Sequence, residues 1–193
     1  MFLKAYILFI HLANLNILSY GLKFNILNNC NDIVPIYSHE NNKFINKCNL
    51  KNLEKCTIEY DRLESGLIKT TLTENATLFE FTINNMGIFY DISVVPPGCG
   101  ICYSYDECFN ISKKTSFNIP LSIIADTEVK LESCKNLECL ENRCNDAYLY
   151  PYDDLKTHFC KVNTNTSSTT NDVFNIIYCP NNNQNNQNNL ECN

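Results

Sequence analysis

Leu78-Phe79-Glu80-Phe81-Thr82-Ile83-Asn84-Asn85-Met86-Gly87-Ile88-Phe89-Tyr90-Asp91-Ile92-Ser93-Val94 decides the fold class. Phe79, Phe81 and Ile83 alternate with Glu80 and Thr82, and Tyr90, Ile92 and Val94 alternate with Asp91 and Ser93, the period-2 pattern of half-buried strands. Asn84 to Gly87 is turn-forming sequence between them. Outward from this centre the same alternation returns at both ends, as Phe24 and Ile26 against Lys23 and Asn25, and as Phe174, Ile176 and Tyr178 against Asn175 and Ile177. No window of comparable strength shows a helical repeat, and one short helical turn is expected around Asn136 to Asn142. Further turn-rich pieces lie at Asn28 to Asp32, Asn41-Asn42 and Pro96-Pro97-Gly98. Many short strands joined by polar turns predict an all-β sandwich or barrel.

The start of the chain reads as a targeting segment. Met1 to Lys4 supplies a positive charge, Ala5 to Leu18 is apolar but too short and interrupted to span a bilayer, and Ser19-Tyr20-Gly21 offers small residues for cleavage after Gly21. A retained signal anchor is the alternative. No later stretch is long and apolar enough for a spanning helix, so the mature chain from Leu22 is expected to be secreted and soluble. Loss of Lys4 leaves 14 of the 15 basic side chains against 21 acidic ones, which argues against nucleic acid or an anionic membrane as partner. Asn181 to Asn189 is almost pure Asn and Gln, and the Asn/Gln-rich stretch from 181 to 193 is expected to form a disordered tail.

Twelve cysteines in a chain with a secretory start predict disulfides. The sequons Asn75-Ala76-Thr77, Asn110-Ile111-Ser112 and Asn165-Thr166-Ser167 are candidate glycosylation sites where exposed.

Several blocks in order resemble the thaumatin-like (osmotin-like) family. Phe24-Asn25-Ile26-Leu27-Asn28-Asn29-Cys30 is similar to its first strand and cysteine, and Leu78 to Phe81 and Phe89 to Val95 to its central strands. Ser116 to Leu121 resembles the segment that follows, while Cys144-Asn145-Asp146-Ala147-Tyr148-Leu149-Tyr150-Pro151-Tyr152-Asp153-Asp154, Cys160 and Phe174 to Pro180 resemble its close. The resemblance implies a disulfide-rich, antiparallel thaumatin-like β-sandwich over residues 22 to 180, without the long cysteine-rich loop domain. It also implies the pairings Cys30 with Cys179, Cys48 with Cys56, Cys134 with Cys160, and Cys139 with Cys144. A departure from the family is an insertion at about residues 96 to 115 carrying Cys99, Cys102 and Cys108. Zinc suits such a cluster, but a secreted chain favours a disulfide knot, with Cys192 completing it or joining two chains. No metal or other cofactor is expected, and the protein is read as a monomer with a disulfide dimer as alternative.

The family's acidic cleft is associated with β-1,3-glucan, and Glu80 and Asp91 fall on two of its carboxylate positions. Its next acidic position falls near Thr115 and its arginine near Ile45 to Lys47, so the cleft is eroded; Asp106 and Glu107 of the insertion are candidates to restore acidity. Tyr103, Tyr105 and Tyr152 are candidates to stack on sugar rings. A glycosidase needs two carboxyls roughly 5–5.5 Å or 6.5–9.5 Å apart, and no catalytic residue is assigned on the sequence. The expected partner is a wall or surface polysaccharide. The rival readings are an enzyme inhibitor or host-interaction protein using the insertion as a binding loop, and a structural protein of an extracellular coat or wall.

Overall fold

The computed structural model describes residues 22–60, 63–162 and 172–181. The signal segment, Asn165, the Asn/Gln-rich tail beyond Asn181 and Cys192 lie outside them. Two sheets make a sandwich. The first, five-stranded, contains β1 (Leu22–Asn28), β4 (Lys55–Tyr60), β8 (Leu121–Asp126), β9 (Leu137–Cys139) and β12 (Val173–Tyr178), in the order β4-β1-β12-β8-β9. The second has seven strands. β2 (Val34–Glu40), β3 (Lys43–Leu50), β5 (Ser65–Lys69), β6 (Leu78–Asn84), β7 (Gly87–Ser93) and β10 (Ala147–Tyr148) follow the order β10-β7-β6-β5-β2-β3, and β11 (His158–Cys160) shares the β7 edge with β10.

Each predicted alternation turns its apolar side into the space between the sheets. Phe24, Phe174, Ile176 and Tyr178 from one sheet meet Phe79, Phe81, Tyr90 and Ile92 from the other. The Phe24 ring lies 4.7 Å from Phe81, 5.1 Å from Phe79 and 6.0 Å from Phe174, in edge-on contacts that aromatic quadrupoles favour. Gly66 stands opposite Phe81 in register, and a Cβ there would sit 2.7 Å from the Phe81 ring. The space a side chain would need is filled by the core.

The β6–β7 hairpin fixes the register of the second sheet. Asn84 Oδ1 accepts from the backbone N–H groups of Met86 and Gly87, so the side chain builds the turn. Gly87 lets β11 approach, since a Cβ there would lie 2.2 Å from the carbonyl oxygen of Cys160. Tyr90 anchors the adjoining loop, its hydroxyl donating to the Lys135 carbonyl and accepting from the Lys135 N–H.

Five disulfides lie among the described residues: Cys30–Cys179, Cys48–Cys56, Cys102–Cys108, Cys134–Cys160 and Cys139–Cys144. The longest-range bridge, Cys30–Cys179, joins the chain just after β1 to the residue just after β12. β1 and β12 are parallel, as are β7 and β10, so the sandwich is mixed where antiparallel pairing was expected. Long connections separate both pairs, and only such connections allow neighbouring strands to run the same way.

The helix also differs from expectation. Residues 136 to 142 contain β9, whose Leu137 and Cys139 point inward on the β8 edge. Among the described residues the α-helix is α1 (Tyr105–Ser112), inside the 96 to 115 segment. Ser104 caps it by accepting from the Glu107 N–H, Glu107 reaches back to the Tyr103 N–H, and Lys113 closes it in the left-handed conformation.

Candidate functional site

Glu80 and Asp91 are direct cross-strand partners on β6 and β7. Their apolar neighbours Phe79, Phe81, Tyr90 and Ile92 face the core, so both carboxylates rise from the outer face of the seven-stranded sheet. They are half-buried there. Ser93, two residues along β7, hydrogen-bonds Glu80, while the Oδ1 atom of Asp91 is buried with no hydrogen-bond partner among the described residues.

Two like charges this close and this dry cannot both ionise cheaply. Burial, and then the Glu80 charge, push the Asp91 carboxyl up to about 8. Burial also raises Glu80, offset in part by the Ser93 hydrogen bond. Near neutral pH the pair therefore retains a proton, and one site offers both a donating carboxyl and an accepting carboxylate. Tyr148 of β10 stands on the same face, opposite Ser93, close enough for the Asp91 charge to raise its hydroxyl after the larger effect of burial. Its hydroxyl bonds to Thr157 and Asp154.

The other candidates are engaged elsewhere. Asp106 accepts from Arg143 Nη2 at 2.6 Å, and Glu107 belongs to the α1 cap. Tyr105 was expected to be free for stacking, but it is only 7% exposed, because its ring lies under the Arg143 guanidinium and its hydroxyl accepts from Asn142. Tyr103 and Tyr152 are exposed and stack on each other, with centroids 5.2 Å apart. Asn75 and Asn110 are exposed at the surface. Lys47, near the family's arginine position, pairs with Glu40 at 2.6 Å.

Sequence reading missed Lys69. It lies on the same sheet face, two residues past Leu67, the cross-strand partner of Glu80, with its ammonium 3.9 Å from the centroid of Phe44. A lone lysine at a strand end carries no periodic signal.

A hollow of about 690 Å³ lies elsewhere, between the β2–β3 hairpin and the end of β4, lined by His39, Glu40, Lys47, Tyr60 and Ser65 among others. It includes neither Glu80 nor Asp91. The acidic pair has the more specific chemistry, because its carboxyls are perturbed and one polar atom is left without a partner.

No protein-family model matches the chain. A thaumatin-like protein of Oryza sativa subsp. japonica is 29% identical over 118 residues, 60% of this chain and 48% of the relative. Thaumatin-like pathogenesis-related protein 3 of Avena sativa is 29% identical over 117 residues, 60% of this chain and 49% of the relative. The matched stretch thus spans about half the length of the curated relatives. The thaumatin-like xylanase inhibitor TLXI superposes with a TM-score of 0.52 at 12% identity, covering 81% of this chain and 99% of that structure. The fold is thaumatin-like. The protein elicitor MoHrip2 from Magnaporthe oryzae superposes with a TM-score of 0.50, also at 12% identity, over 82% of this chain and 99% of that structure. Among the described residues of this thaumatin-like chain, no helix is long and apolar enough to cross a membrane.

Proposed function

We propose that this is a secreted binding protein that recognises an uncharged wall or surface polysaccharide of the β-glucan class through Glu80 and Asp91. Residues 22 to 180 form its binding domain, behind a cleaved segment at residues 1 to 21. The observation that carries this reading is the proton-sharing pair with the unpartnered Asp91 oxygen. A sugar hydroxyl both donates and accepts, and so does this pair near neutral pH. An anionic ligand would instead oppose the charge left on the pair. The likeness to thaumatin-like proteins supports the reading at the level of fold and family.

The test is co-sedimentation of the full chain with insoluble β-1,3-glucan, wild type beside the double variant Glu80→Gln/Asp91→Asn, with released sugar measured in the same tubes. Wild type should pellet and the double variant should stay in solution. Release of sugar by wild type alone would add hydrolysis to binding. Failure of wild type to pellet would refute glucan as the ligand.

A second reading rests on another observation. The cysteine-bearing segment displays Ile101 at 69% and Tyr103 at 67% exposure, apolar side chains suited to a protein surface. In that reading the segment is an inhibitor's or effector's contact loop. Replacing residues 97 to 115 with a short linker should abolish partner capture and spare glucan binding. Unchanged capture would refute it.

A further inference from the structure

Lys69 ends β5, the strand that pairs with β6 on the side away from β7. Ile68 before it is fully buried in the core, so strand alternation turns Lys69 to the outer face that also carries Glu80 and Asp91. Leu67 stands opposite Glu80 in register, and Lys69 lies two residues further on, about 7 Å along β5. A lysine on a sheet surface ordinarily extends into water, yet this one is only 7% exposed. Phe44 of β3 lies against it, with the ammonium 3.9 Å from the ring centroid, and Nζ donates to the Thr73 carbonyl at 3.3 Å.

An ammonium has three N–H donors and no acceptor. Thr73 takes one of them, and the Phe44 π-face attracts the charge without replacing the hydrogen bonds of the others. Among the described residues no carboxylate lies within ion-pair distance of Lys69. Burial lowers the lysine pKa, but the nitrogen itself lies at shallow depth, within reach of a ligand on the sheet. A partly desolvated cation short of acceptors gains most from an oxygen that arrives with a ligand. Phe44 keeps 38% exposure with Lys69 and His39 against its ring, which leaves apolar surface beside that oxygen position. The face is also dipolar, since the acidic pair holds negative charge at one point and Lys69 positive charge at the next. An uncharged chain with hydroxyls at both points fits it better than a cation or an anion.

We propose that Lys69 and Phe44 form a second sugar subsite, further along the same glucan chain than the ring held by Glu80 and Asp91. This rests on the glucan reading above and adds a length requirement to it. The Lys69 ammonium donates to an oxygen of the later sugar unit, and Phe44 lies against that unit's apolar C–H surface. Affinity then depends on whether an oligosaccharide is long enough to reach from the acidic pair to the lysine.

The test is calorimetric titration of the full chain with β-1,3-linked glucose oligomers, a dimer and a hexamer. Wild type should bind the hexamer about tenfold more tightly than the dimer, the gain expected of a hydrogen bond to a charged group. Lys69→Met keeps an unbranched side chain against Phe44 and removes the donors. It should bring the hexamer down to the affinity of the dimer and leave the dimer unchanged. Phe44→Ala, at a more exposed position, approaches the same subsite from its other side and should likewise weaken the hexamer and spare the dimer. Glu80→Gln/Asp91→Asn should weaken both oligomers alike. An unchanged hexamer affinity in Lys69→Met overturns the subsite alone, and an equal loss of both oligomers there makes Lys69 a support for the Thr73 loop, which overturns it too. If wild type binds neither oligomer, the glucan reading itself fails and the subsite falls with it.

Discussion

Glu80 and Asp91 stand on neighbouring strands of a sheet whose reverse side is aromatic core, whereas Asp106 and Glu107 stand on a two-turn helix held by the Cys102–Cys108 bridge. On the sheet, register holds two like charges together in a half-dry setting and shifts their protonation. On the helix, each acid already has a partner and water close by, and it serves the local structure. Four carboxylates of similar intrinsic chemistry thus diverge because packing holds one pair in tension and satisfies the other. An acidic pair held half-dry needs a rigid support whose stability offsets the cost of desolvation.

The contrast can be attacked first at the support. Phe24→Ala removes the ring on which four other aromatics converge, and it should cost about 3–5 kcal/mol in urea unfolding monitored by tyrosine fluorescence. A loss below about 1 kcal/mol would mean that the core does not carry the sheet face in this way.

A smaller effect should follow from the pair itself. The folded-state pKa of Asp91 is raised to about 8, so between about pH 4 and pH 8 the folded chain holds more protons than the unfolded one. Stability therefore falls as pH rises through that window. Asp91→Asn should match wild type in unfolding free energy near pH 4 and exceed it at pH 8, by on the order of 2 kcal/mol once solvent screening of the pair is allowed for, as read from urea unfolding at the two pH values. An equal difference at both pH values would show that Asp91 is not held protonated.

The helix side predicts weaker and more local effects. Ser104→Ala removes the cap of α1 and should cost about 1 kcal/mol, read as faster amide exchange in Cys108 to Lys113 with β1 and β12 unchanged. Weakest of all should be Arg143→Ala, since its ion pair with Asp106 is largely exposed, and less than about 1 kcal/mol is expected in chemical denaturation. A large loss there would place α1 within the global folding unit and erase the distinction between the two regions.

Much of the sheet could be read in advance because its signal is local. Phe24, Phe79, Phe81, Tyr90 and Phe174 announce their faces by alternation, and Asn84 to Gly87 marks the turn that sets Glu80 against Asp91. β9 escaped because three residues, Leu137 to Cys139, are too few to show a period, and its burial comes from β8, which no local pattern reveals. α1 escaped because only Tyr105 and Cys108 of its eight residues turn inward, so no apolar stripe is written along it. Its signal was present as Ser104 followed three residues later by Glu107, a capping pair that the cysteine pattern around it obscured. At the site, the polar faces of Glu80 and Asp91 were legible, while the engagement of Tyr105 depends on Asn142 and Arg143, 37 and 38 positions away in sequence. The desolvation that perturbs Asp91 likewise belongs to the assembled face.

β1 lies in the interior of its sheet between β4 and β12. During synthesis β1 must keep one edge unsatisfied until β12, some 150 residues later, is made and can pair with it in parallel. The five-stranded sheet thus closes late in synthesis, and until then the nascent protein presents an adhesive edge open to pairing with other chains.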